Sequence, residues 1–198
     1  SNQQPRLNEW FYPTVQLVMA GSDAEGLRYG TIGTPEPFFL TWKEDEEEDE
    51  DYKLDKYLRK ICEKSRLLEL LHDFVLFDGG VKKLPRVHQY FGVKAAQEHA
   101  NRHEGGIIWH TQGSGKSIVM VLLTKWILEN NPDARVVVIT DRDDLDKQIE
   151  GVFSNIGESI ERAKSGRDLL QKLGQATPRL LCSLVHKFGK QGVEDFEV

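Results

Sequence analysis

The sequence predicts an α/β protein in two parts, a small β-rich segment followed by a parallel sheet between flanking helices. Three observations lead there. Short alternating stretches separated by turn residues fill positions 10–43. From residue 85 onward, β-branched apolar runs alternate with stretches of helical periodicity. Between one apolar run and one helical stretch sits the glycine-rich turn Thr111-Gln112-Gly113-Ser114-Gly115-Lys116-Ser117.

At the start, Val15–Met19 alternates and Gly21–Gly26 is a cluster of turn residues. Leu27–Ile32 is suited to return as a second strand, and Phe38–Trp42 gives a third after Pro35 and Pro37. Three short strands lack the length for a core of their own. Glu44 to Asp51 is an unbroken run of eight acids, expected as a solvated loop because like charges repel and extend the chain. The formal charge of −6 becomes +2 once those eight are set aside, so the acidity is local and does not argue against nucleic-acid binding. Asp51-Tyr52-Lys53 matches half of a nuclease D-x-K pattern, but it lies outside any strand signal and marks no nuclease centre.

Apolar residues at 54, 57, 58 and 61, then at 67, 68, 71, 74 and 75, predict two helices, with Ser65 placed to cap the second. Phe74–Phe77 turns extended. Pro85 suits the first turn of a helix running from Arg86 to about Asn101, weakened slightly by Gly92.

Gly106–His110 reads as a buried strand, and Ile118–Leu128 as the helix that follows the glycine turn. Strand, glycine loop ending in Gly-Lys-Ser and helix is the context of a P-loop. Glycines let backbone N–H groups turn inward around a phosphate, and the helix N-terminus adds unpaired donors and partial positive charge. Lys116 is placed to reach the terminal phosphates and Ser117 to ligate Mg²⁺. The strict pattern asks for glycine at 110, where this chain has His110; helicase-type motors relax that position. The loop therefore predicts binding of a nucleoside triphosphate with Mg²⁺.

Downstream, Arg135–Ile139 is a β-branched strand, and Asp143 or Asp144 begins a helix. A weaker helix covers about Asp168–Leu173, and Arg179–Val185 is a further buried strand. The order β-α-β-α-α-β satisfies a RecA-like parallel sheet. Two other stretches bear on chemistry. In Val87-His88-Gln89-Tyr90-Phe91, the carboxamide of Gln89 suits an adenine edge, donating and accepting at once. Thr140 and Arg142 follow the 135–139 strand and put a hydroxyl and a cation where a nucleic-acid phosphate could lie. Cys62 and Cys182 lack metal-ligand spacing and suit small core hydrophobes in a reducing compartment. No apolar run approaches 18 residues and no signal-peptide pattern opens the chain, so a soluble cytoplasmic protein without a membrane partner is expected.

Taken together, 106–117 and 136–148 closely resemble the restriction (R) subunit of type I restriction–modification enzymes. His-Gln-Tyr-Phe-Gly-Val before the loop, Arg-Tyr-Gly-Thr-Ile near the start and Phe-Phe-Leu-Thr-Trp-Lys are similar to that family too. The resemblance covers about residues 10–188. It implies a superfamily 2 motor that uses ATP to translocate double-stranded DNA, joined to an endonuclease domain and working with modification and specificity subunits. Residues 1–43 would be the end of the endonuclease domain, 44–84 an acidic loop and helical connector, and 85–198 the first part of a RecA-like motor domain.

By position, the resemblance gives Lys116 the catalytic phosphate role, Thr111 to Ser117 the nucleotide, Ser117 the metal and Gln89 the adenine. It gives Thr140 and Arg142 a DNA contact, and it makes His110 an ordinary residue. Ser183–Phe188 departs from the threonine-rich version usual there. The acidic motor motif, a second motor domain and the nuclease carboxylates are not found, so a piece of a longer protein, inactive alone, is expected. Another superfamily 2 helicase or remodelling-type ATPase, or a nucleotide-gated binding module without turnover, would use the same loop.

Overall fold

The computed structural model describes residues 10–44, 52–78, 80–141, 150, 153 and 160–185, without the side chains of Pro13 and Asp78. The chain divides into two compact units, Ser1–Leu76 with Lys82–Phe91 and Phe77–Val81 with Gly92–Val198. Where they meet in sequence, β4 (Leu76–Asp78) and β5 (Val81–Lys83) pair as a two-stranded ribbon.

In the first unit, β1 (Val18–Ser22), β2 (Gly26–Gly30) and β3 (Leu40–Trp42) form an antiparallel meander. Gly26 closes the first hairpin at φ +82°, a left-handed conformation that a Cβ would disfavour. The first strand starts three residues later than expected. Its partner β2 ends at Gly30, where the Thr34 N–H and hydroxyl close a turn on Thr31, so 15–17 have no strand partner among the described residues. The helices α1 (Lys53–Ile61) and α2 (Lys64–Asp73) follow. Glu63, not Ser65, caps α2: its carboxylate accepts from Ser65 N at 3.0 Å and Arg66 N at 2.8 Å. An ionised acceptor reaching two orphan donors outcompetes a single hydroxyl.

The meander does not stand alone. Leu27, Tyr29 and Trp42 bury themselves with Ile61 of α1 and Phe74 beyond α2, and Trp42 is 0% exposed. Trp42 meets Tyr29 and Tyr90 at 5.7 Å between ring centres, and Phe74 meets Tyr90 at 4.7 Å. The polar ends of these rings are all engaged. Tyr29 donates to Pro85 O at 2.5 Å, and Tyr90 donates to the Glu69 carboxylate at 2.7 Å. Burial holds both phenols well above their ordinary pKa, opposed for Tyr29 by Arg86 and reinforced for Tyr90 by Glu69. Trp42 Nε1 donates to Glu44 Oε1 at 2.8 Å; Arg66 Nη1 reaches the same oxygen at 2.6 Å, and Lys60 stands 3.7 Å from the other. Glu44 is thus a clamped, half-buried carboxylate, unlike the solvated residue expected at the head of the acidic run. Residues 45–51 lie outside the described residues.

In the second unit, α4 (Lys116–Asn130), β6 (Val136–Thr140), β7 (Glu161–Arg162), α5 (Gly166–Leu173) and β8 (Leu180–Leu184) follow in order. The sheet is parallel, ordered β6-β8-β7, with Val136 opposite Leu180 and Arg162 opposite Cys182. All five residues of β8 are buried, as a strand flanked on both sides and covered on both faces requires. On one face Val137, Leu181 and Ala163 pack with Leu169 of α5; α4 packs against β6.

Helix α5 starts at Gly166, earlier than expected, because Ser165 Oγ accepts from Asp168 N while Asp168 accepts from Lys164 N. The two-residue β7 is too short for periodicity to reveal. Two arginines brace the layers. Arg179 donates to Ala134 O at 3.1 Å, Leu128 O at 2.9 Å and Asn131 O at 2.7 Å, tying the C-terminal end of α4 to the start of β8. Arg135 donates to Lys172 O at 2.7 Å, Pro178 O at 3.2 Å and Leu173 O, at the C-terminal end of α5. Cations suit those positions because the last carbonyls of a helix carry partial negative charge.

One expected strand is absent from the described sheets. Residues 106–110 are irregular, with Ile107 90% and Trp109 89% exposed. An apolar run becomes a strand only when a neighbour takes its backbone hydrogen bonds, and no described strand pairs with this one. The helix expected to start at Asp143 or Asp144, and residues 186–188, lie outside the described residues. Among the described residues no helix is long and apolar enough to cross a membrane.

Candidate functional site

The loop 111–117 is shaped by two glycines and closed by one lysine. Gly113 has φ +75° and Gly115 has φ +82°, and a Cβ at Gly113 would meet nothing within 4 Å. The loop is therefore open on that side, and its backbone runs through left-handed conformations that only glycine adopts freely. Gly115 is the N-cap of α4, with no side-chain cap bond. The first turn tightens onto it, Ile118 N donating to Gly115 O at 3.0 Å and Val119 N at 3.4 Å. Backbone N–H groups of Gly113, Lys116 and Ser117 carry no hydrogen bond among the described residues. These are the orphan donors of a helix N-terminus, where the partial positive charge favours an anion.

Lys116 folds back over this nest. Its ammonium donates to His110 O at 3.0 Å and Thr111 O at 2.9 Å. An ammonium has three donors, so one is left for a further acceptor. Ser117 stands next in the same first turn. The arrangement fits a bound polyphosphate: a glycine cradle free of side chains, unpaired N–H groups, a cation and a hydroxyl converge within seven residues.

His110 and Gly92 were not linked by any sequence pattern, yet they explain each other. A Cβ at Gly92 would lie 3.2 Å from His110 Cε1 and 3.3 Å from Nε2. The helix α3 (Val87–Asn101) therefore offers a bare backbone patch on which the His110 ring rests. An isolated glycine inside a helical pattern is the available signal for such a close approach.

Thr140 ends β6. Helix α4 packs on β6 and joins it through 131–135 alone, so the two run antiparallel. The N-terminus of α4, with the loop, and the carboxyl end of β6, with Thr140, consequently lie at the same end of the sheet, where open α/β sheets bind ligands. Thr140 is 5% exposed and its hydroxyl has no partner among the described residues. Arg142 lies outside the described residues. Gln89 belongs to the first unit, 2% exposed, and its Oε1 accepts from Arg86 N at 2.8 Å, capping the start of α3. So the structure brings Thr111 to Ser117 together and puts Thr140 at their end of the sheet, while Gln89 is engaged at a helix start.

Comparison with known proteins agrees with this geometry. The sequence profile described as SWI2/SNF2 ATPase matches residues 88–198, more than half of the chain. The chain belongs to the SWI2/SNF2 ATPase family. It is also similar to curated type I restriction enzyme endonuclease subunits, the resemblance its motifs suggested. One from Methanocaldococcus jannaschii is 28% identical over 93% of this chain and 20% of its own length. One from Haemophilus influenzae is 33% identical over 78% of this chain and 16% of its own length. One from Staphylococcus saprophyticus is 28% identical over 53% and 12%. The chain spans a fifth or less of the length of these relatives. In the SWI2/SNF2 match the loop, α4 and the parallel sheet are all included.

Proposed function

We propose that this chain is the ATP-binding part of a type I restriction endonuclease subunit, whose whole acts as an ATP-dependent translocase and nuclease on double-stranded DNA. The observation that carries the reading is the loop itself: two left-handed glycines leading into a 15-residue helix, with Lys116 poised over unpaired N–H groups. Bound ATP with Mg²⁺ would supply the phosphoanhydride whose hydrolysis drives movement. The backbone of Gly113 to Ser117 holds and orients the phosphates, Lys116 neutralises them, and Ser117 offers its hydroxyl to the metal. Gln89 is assigned the adenine edge by its place in the sequence before the loop. Thr140, at the carboxyl end of the sheet, and Arg142, by its place in the sequence, are assigned a DNA contact. The modification and specificity subunits of such a complex would be the protein partners, in the cytoplasm. A nuclease remnant in residues 1–43 remains part of this reading.

The test is Lys116→Ala. In the full-length protein, loss of charge-assisted bonds worth about 1.5–3 kcal/mol each should abolish ATP-driven translocation while circular dichroism stays unchanged. In the 198-residue chain, weak Mg²⁺-dependent ATP binding without turnover is expected, and Lys116→Ala should remove it. Unchanged ATPase activity in the full-length variant would overturn the assignment.

A further inference from the structure

The segment that leads into the loop has no strand beside it among the described residues, yet α3 holds it at both ends. His99 Nδ1 donates to Gly105 O at 3.1 Å, and the His110 ring rests on the bare backbone of Gly92. Gly92 and His99 stand seven residues apart, on one face of that helix. Between those two points the side chains alternate. Ile107 is 90% and Trp109 89% exposed, whereas Ile108 is 38% exposed, and its Cγ2 lies 3.7 Å from where a Cβ on Gly92 would stand. Residues 108 and 110 therefore face α3, and both meet it at Gly92.

The backbone of His110 reaches the loop. His110 O and Thr111 O take two of the three ammonium donors of Lys116, at 3.0 Å and 2.9 Å. Contacts thus run from Gly92 through the His110 ring to its carbonyl and on to Lys116. The room at Gly92 is only what the ring needs. A Cβ there would come within 3.2 Å of Cε1 and 3.3 Å of Nε2, so the ring would have to move. Glycine is a poor residue for a helix interior, and its place in α3 asks for a reason.

We propose that Gly92 is a positioning residue for the nucleotide site: it seats His110, whose carbonyl, with that of Thr111, holds the Lys116 ammonium over the loop before a ligand arrives. The proposal rests on the reading of the loop as an ATP site. Preorganisation of this kind raises affinity, because the cation need not be ordered on binding. A side chain at 92 pushes the ring, and the peptide it belongs to, off that position. Helix propensity alone gives another expectation: alanine at 92 stabilises the chain and leaves binding untouched. One variant therefore separates the two roles of this glycine.

The test follows two quantities on the 198-residue chain, the dissociation constant of Mg²⁺-ATP and the ¹³Cε resonance of Lys116, assigned by its loss in Lys116→Arg. Gly92→Ala should weaken binding about threefold and Gly92→Leu about tenfold, the scale of one charge-assisted bond lost. Both should move the Lys116 resonance while circular dichroism keeps its helical signal; should the leucine variant fail to fold, the milder alanine variant decides. In a His110→Gly background no ring meets the new side chain, so Gly92→Ala should change neither quantity. An unmoved Lys116 resonance in Gly92→Ala, or an equal loss of affinity with and without the His110 ring, would overturn the proposal. The resonance needs no nucleotide. If it moves as expected while the parent chain binds no Mg²⁺-ATP, the seating of Lys116 stands and the ATP assignment fails.

Discussion

The two units treat their buried polar groups differently. In the first, the rings of Trp42, Tyr29 and Tyr90 each pass their polar atom to a named acceptor, and Gln89 caps a helix. In the second, Gln97 Nε2, Thr140 Oγ1 and Ser183 Oγ are buried with no partner among the described residues. A buried donor or acceptor left unmade costs about 1–3 kcal/mol. Thr140 and Ser183 both stand near the carboxyl ends of parallel strands, the end that carries the loop. One unit is closed chemistry suited to a scaffold. The other holds unspent hydrogen-bonding capacity where a ligand would be expected.

Three substitutions probe that contrast, in order of effect. Trp42→Ala should cost about 3–5 kcal/mol, since a fully buried indole leaves a cavity and takes one of three partners from Glu44. Urea unfolding followed by near-ultraviolet circular dichroism measures it; a loss below about 1 kcal/mol would mean the aromatic cluster is not the core of its unit. Thr140→Val tests the other side and should change sign, stabilising by about 0.5–1.5 kcal/mol because it removes a hydroxyl that bonds to nothing described. If that variant is destabilised in the same assay, the hydroxyl has a partner and the contrast fails.

The smallest effect is a pH dependence. The N–H groups of Arg66 and Ser65 hold the Glu63 carboxyl below its ordinary value of 4.5. A pKa depressed by folding adds stability that is fully present above the unfolded value and lost as pH falls through the folded one. The urea midpoint should therefore drop on acidification below about pH 4.5, and Glu63→Gln should flatten that drop. An unchanged slope would show that the cap contributes nothing.

Much of this was legible in the sequence where local chemistry decides. The glycine turn and the helix after it were readable because Gly113, Gly115 and Lys116 stand at fixed offsets before an apolar helical stretch, whatever surrounds them. The buried strand β8 and the helix after Pro85 were readable for the same reason. Positions set by pairing were not. Gly106–His110 has the composition of a buried strand, but strand formation needs a neighbour, which no single segment encodes. The start of β1 depended on where β2 ends. Glu44 looked like one more acid in a run, and only its approach to Arg66 and Trp42, distant in sequence, made it a clamp. The rest of Gly92 against His110 was foreshadowed by no more than a glycine in an unexpected place.

The Arg179 anchorage has a mechanical side. Helix α4 has 15 residues and is about 22 Å long. Its far end is fastened to the root of β8 through three carbonyls. Engineers would draw it as a cantilever with the glycine loop at the tip. A force at the tip is felt as a bending moment at the fastening, and the fastening opens directly onto the central strand of the sheet.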